Sequence, residues 1–166
     1  MTTNSCREIL HITDAARIAD LSGLLHDETF ELDTIKYSPE SQKLAIPCRR
    51  HSHDASQGLV DTYPPLLEAF PPDKWKTFET DWMQSLVTIS FVHTWAALHD
   101  QGINQYSFLH WRIEPGLIQI EANEALVLRC DVEEIDIVVA DIGFKGKSRL
   151  LRGSGGVEIS SGDVYV

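Results

Sequence analysis

The amino-acid sequence predicts an α+β protein: a mostly antiparallel sheet, meander-like in its second half, with an N-terminal helix and a second helix around residues 73–85. Three observations lead there. Apolar residues recur at three- and four-residue steps from Ala15 to Leu25 and again from Trp75 to Leu86, the period of a helix face. From Val87 onward they alternate with period two, the period of a half-buried strand. The connections between the later apolar runs are short, which suits antiparallel neighbours, because parallel pairing needs a long crossover.

Each element has its own signal. Residues 1–12 read as a polar leader. Thr13 or Asp14 caps a helix reaching about His26, with Ala15, Ile18, Leu21 and Leu25 on one face. An extended segment from Phe30 to Tyr37 and a strand from Leu44 to Arg50 flank the turn residues Ser38 to Gln42, and Pro47 suits an edge position because it has no N–H to give a ladder. Residues 51–63 form a polar loop, and two Pro-Pro pairs bracket Leu66-Leu67 before Asp73 caps the second helix. The strands that follow cover Val87 to Trp95, Tyr106 to Ile113, Leu117 to Glu121, Leu126 to Cys130 and Ile135 to Ile142. Residues 153–166 are either a flexible tail or an edge strand through Val157 and Ile159.

A chain of 166 residues with 43% hydrophobic composition is expected to form a single domain, burying roughly 70% of the surface its unfolded form exposes. The 25 acidic against 14 basic residues give a net charge of −11. An acidic body repels phosphate, which works against nucleic acid as a general partner and against anionic membranes, so neither is expected, whereas a basic protein partner fits. Cys6, Cys48 and Cys130 are odd in number and widely spaced, which suits reduced thiols rather than a disulfide framework. With no signal-peptide-like run near Met1 and no unbroken apolar span, a soluble cytoplasmic protein is expected.

Candidate chemistry concentrates in the histidines. His51 and His53 lie on the same side of an extended backbone and can reach one zinc ion, but they supply half of a tetrahedral set. A third donor would come from Cys48, Asp54, His26, Asp27 or Glu28. The same stretch, through Arg49, Arg50, His51 and His53, also suits an anion, because guanidinium forks match carboxylate and phosphate. His93 falls on the apolar phase of its strand between Phe91 and Trp95. His110 shares a face with Tyr106, Phe108 and Arg112 if that strand is regular, so His93, Trp95 and His110 are candidates for a ligand pocket.

Other motifs fail on their own chemistry. Gly146-Lys147-Ser148 ends like a phosphate loop, but Asp141 stands where the pattern needs glycine and no helix can follow. The acidic run from Asp131 to Asp136 lacks the alternating donors and central glycine of a calcium loop and reads as a charged turn. No cofactor is implied, zinc being the one metal candidate. The expected function is non-enzymatic: a protein-interaction or binding domain, docking another protein or a second copy of itself. The alternatives are a small metal-dependent or histidine-based enzyme using the His51/His53 loop, and a small-ligand binder with an aromatic pocket around Trp95, Tyr106 and Trp111.

Overall fold

The computed structural model describes residues 6–52, 59–60, 75–153 and 158–160, with side chains at 6–51 and 83–143. It is α+β, and mostly antiparallel sheet. In chain order the elements are β1 (Arg7–Ile12), α1 (Ile18–Leu25), β2 (Thr29–Glu31), β3 (Lys36–Ser38) and β4 (Lys43–Ser52). Then come β5 (Leu59–Val60), β6 (Trp75–Ile89), β7 (Val92–Leu98) and β8 (Gln105–Glu114). The chain continues with β9 (Leu117–Ala122), β10 (Val127–Val132), β11 (Ile137–Gly153) and β12 (Glu158–Ser160). Among the described residues the hydrogen-bonded order is β1-β11-β6-β4-β2-β8-β9-β10-β7, with β12 beside β11, β3 beside β4 and β5 beside β6. No helix among the described residues is long and apolar enough to cross a membrane.

The chain divides into two compact units, Met1–Arg50 with Gln84–Gly143, and His51–Met83 with Phe144–Val166. In the second, β5 pairs with β6 and β12 with β11, both antiparallel. Within residues 153–166, Glu158–Ser160 form a strand, and Val157 lies outside the described residues.

The first unit holds the core. Alternation puts Leu44, Ile46 and Cys48 of β4, Val87 and Ile89 of β6, and Ile137 and Val139 of β11 into one apolar cluster. Phe108, Ile118, Ile120, Leu128 and Cys130 of β8, β9 and β10 belong to the same cluster. The helix begins as the sequence indicates: the Asp14 carboxylate accepts from Ala16 N at 2.9 Å, opening a 3-10 turn that runs into α1. Leu21 and Leu25 are its buried residues, and it packs on β8. After it, Asp27 takes a left-handed φ of 65° and donates its N–H to the Phe108 carbonyl at 2.8 Å, aligning β2 with β8.

The second half is the expected meander with one addition. Strands β8, β9 and β10 are joined by tight turns. In the first, Pro115 precedes Gly116, whose φ of 77° supplies the positive angle that favours glycine. β7 lies beside β10 rather than β8, a Greek-key connection.

Several expectations are corrected. Residues 75–89 are a strand, not the second helix expected around 73–85. Phe78, Trp82 and Leu86 recur every four residues, a step that satisfies both periods, and β4 and β11 pair with this segment on either side. The β-branched Thr77, Thr80, Val87, Thr88 and Ile89 also suit a strand. The leader contains β1, paired with Ile137 to Asp141 of β11. Pro47 sits on an interior strand, not an edge. Its missing donor is tolerated because it falls between the β3 pairing at Lys43 to Ala45 and the β2 pairing at Cys48 and Arg49. β11 runs through Gly146-Lys147-Ser148 as an extended strand, so no phosphate loop forms.

Candidate functional site

Three polar side chains are buried together where β11, β6 and β4 lie side by side. Arg50 ends the sequence Leu44, Ile46, Cys48, Arg50, each residue buried, so its guanidinium is carried inward by the same alternation that builds the core. It donates from Nε to Oδ1 of Asp141 at 2.9 Å and from Nη2 to Oδ2 at 2.7 Å. Ser85 on the intervening β6 is fully buried and donates its hydroxyl to the same Oδ1 at 2.7 Å. The geometry has a steric logic. β4 and β11 are two strand spacings apart, about 9.6 Å, so the arginine must cross β6, and the small serine leaves room for it.

The surroundings tune the neighbours. Burial pushes the Cys48 thiol up to about 12, with the carboxylates of Glu28 and Asp141 adding to the effect and Arg50 opposing it. Cys130 is likewise pushed up to about 12 by burial, then by Asp131. Both thiols therefore stay protonated at neutral pH and are poor nucleophiles. Cys6 is exposed. An aromatic disulfide reagent at neutral pH should react with Cys6 alone in the folded protein and with all three cysteines after unfolding. Rapid release of a second equivalent from native protein would show that the core admits the reagent.

The histidines occupy different places from those the sequence suggested. His51 lies half-buried on β4, and His53 lies outside the described residues. Among the described residues no three His, Cys, Asp or Glu side chains converge as a metal-ligand group. The anion reading for Arg50 is superseded, because its fork is occupied by Asp141.

His93 is exposed, with Nε2 3.9 Å from Glu133, rather than on the apolar face. The cause is a corner: β6 ends at Ile89, Phe91 adopts a left-handed φ of 58°, and β7 restarts with Val92 buried, which reverses the phase for His93. His110 is also exposed, because the β8–β9 register shifts between Phe108 and His110 and moves it off the face of Tyr106 and Phe108. β9 and β10 lie between β8 and β7 in the sheet, so His93 and His110 do not pair. His110 instead stands beside His26, ring centroids 6.3 Å apart.

The aromatic side chains form a packed row. Phe30 lies 4.5 Å from Phe108 and 6.2 Å from Tyr106, and Phe108 lies 5.7 Å from Trp111, measured between ring centroids. Trp95 is half-buried on β7 opposite Cys130. The Tyr106 hydroxyl donates to Asp100 at 2.6 Å and accepts from Gln101 N, tying down the loop that leads into β8. That hydrogen bond, with a second from Gly102 N, holds the Asp100 carboxyl below its ordinary range.

Two carboxylates of the acidic turn are engaged by other strands. Asp131 accepts from the Thr94 hydroxyl at 2.7 Å, and Asp136 lies 3.1 Å from His11.

Among the described residues the strand order ends at β1, whose edge carries Arg7 and Glu8, and at β7, which carries no Lys, Arg, Asp or Glu. Val132 N donates to Gly116 O, so the even-numbered residues of β10 bond to β9 and the odd-numbered ones to β7. Across that ladder Thr94, Ala96 and Leu98 bond to β10, and the N–H and C=O groups of Trp95 and Ala97 point away from the sheet. β7 ends the strand order among the described residues, and Val92 to Leu98 contains no proline and no Lys, Arg, Asp or Glu. Sequence reasoning missed this edge because strand order is not encoded in any local pattern.

Comparison with protein-family models, with curated proteins and with solved structures finds no match to this chain.

Proposed function

We propose that this protein is a non-enzymatic interaction domain whose docking element is the outer edge of β7. The observation that carries the reading is the row of outward backbone groups at Trp95 and Ala97 on an exposed, uncharged strand. Natural sheets usually blunt such edges with lysine, proline, a bulge or a covering segment, because a bare edge pairs with any compatible strand. An edge that no described strand covers over Thr94 to Leu98 is what strand addition requires. The exposed apolar side chains of Leu98 and, in the loop beyond it, Ile103 add contact surface at the same end. The three free cysteines support action in a reducing cytoplasm. The net charge of −11 favours a protein partner over a nucleic acid.

Paired capture tests the reading. Wild-type protein and an Ala97→Pro variant are immobilised at equal density and exposed to the same cell extract. Proline removes an N–H that makes no bond within the sheet, so the fold should persist while the edge loses a donor. A partner retained by wild type and lost by the variant, with both chains melting together, is the expected outcome. Equal retention by both would place binding elsewhere and overturn the reading.

A further inference from the structure

We infer that the segment received by β7 is an extended cationic peptide of another protein, with basic and apolar side chains in alternation. The inference rests on the strand-addition reading above and specifies the partner's chemistry.

The length of the site is set by its two ends. Tyr37 donates its hydroxyl to the carbonyls of Val92 at 2.6 Å and His93 at 3.2 Å, and Val92 N is bonded to Gln42 O, so the start of β7 is covered. His99, with a left-handed φ of 63°, turns the chain away at the other end. Between them no strand among the described residues pairs with the outer edge of Thr94 to Leu98.

The two faces of this strip differ. Thr94, Ala96 and Leu98 are exposed, whereas Trp95 and Ala97 turn toward the core and are half-buried. An added strand continues both faces, because its side chains also alternate. On the outer face it meets the carboxylate of Asp131, bonded to Thr94, and Glu133 stands beside His93 at the start of the strand. Arg129, opposite Ala96 in the ladder, lies 3.8 Å from Asp131 and offsets part of that charge. On the inner face the added strand meets the edges of Trp95 and Ala97, which accept apolar side chains. The chain's net charge of −11 favours approach of a cation and opposes pairing with a second copy, whose charge is the same.

The test uses the full chain and three short fluorescent peptides in which valine alternates with lysine, with glutamate or with serine, read by anisotropy. The lysine peptide should bind wild type, and its binding should weaken roughly tenfold with Ala97→Pro, which removes an edge donor. Because proline also fixes φ and can displace the strand, Ala96→Lys and Ala96→Glu are measured too. Ala96 is exposed and its backbone stays in the ladder with Arg129. Ala96→Lys should weaken binding of the lysine peptide and Ala96→Glu should strengthen it.

The failures are separable. Equal binding of all three peptides, each lost in Ala97→Pro, overturns the cationic partner and leaves strand addition standing. So does a wild-type dimer in sedimentation that Ala97→Pro dissociates. Lysine-peptide binding untouched by Ala97→Pro overturns strand addition, and no binding by any peptide overturns both.

Discussion

Asp141→Ala is expected to lower folding stability by about 3–5 kcal/mol, the loss typical when one partner of a buried ion pair is removed. The large value comes from what remains. Arg50 is 3% exposed, and its Nε and Nη2 donors are aimed at the missing carboxylate. Ser85 loses its acceptor as well. For a chain of this size the loss corresponds to a fall in melting temperature of roughly 6–20 °C.

A triple variant separates the pair's net contribution from the cost of breaking it. Arg50→Met, Ser85→Ala and Asp141→Leu together replace the three side chains of this hydrogen-bonded group with apolar ones of similar volume. Such apolar replacements are often neutral or stabilising, so the triple variant should recover most of the loss. Urea unfolding of the wild type and the two variants checks this. A loss under about 1 kcal/mol for Asp141→Ala would mean that the guanidinium reaches water and the pair is not the buried one described.

Phe108→Ala is expected to be the other severe change, at about 3–5 kcal/mol for a fully buried phenylalanine. Its ring sits between Phe30 and Trp111, and its main chain bonds to both Asp27 and Glu28. Removing the ring leaves a void at the place where α1, β2 and β8 meet. Phe108→Leu keeps most of the volume and should cost distinctly less than the alanine change. In urea the midpoint should fall with the slope unchanged, the mark of lost packing in an intact fold. A midpoint within error of wild type for Phe108→Ala would contradict the packed row.

Much of the first unit was legible because short-range patterns dictate it. The Asp14 cap, the Leu21/Leu25 face and the Pro115-Gly116 turn each depend on residues within a few positions of one another. The buried triad also left a trace. Arg50 continues the phase of Leu44, Ile46 and Cys48, Ser85 that of Val87 and Ile89, and Asp141 that of Ile137 and Val139. A polar residue on the apolar phase of three separate strands signals a buried network, although nothing local says that the three strands adjoin. The helix expected around 73–85 failed for a related reason: a four-residue apolar step fits both periods, and pairing with β4 and β11 decides between them.

The histidines show where local reading ends. His93 and His110 were placed by unbroken alternation, and one left-handed residue, Phe91, and one register shift, after Phe108, reversed both. Composition and periodicity alone specified an acidic, strand-rich α+β chain with three unpaired cysteines and a core spread over its alternating runs. The partners of Arg50, the exposure of His93 and His110, and the position of β7 at the end of the sheet were decided by the tertiary structure. Each depends on which distant strands lie side by side, and that choice is made by the joint burial of many alternating faces, a quantity no single segment carries.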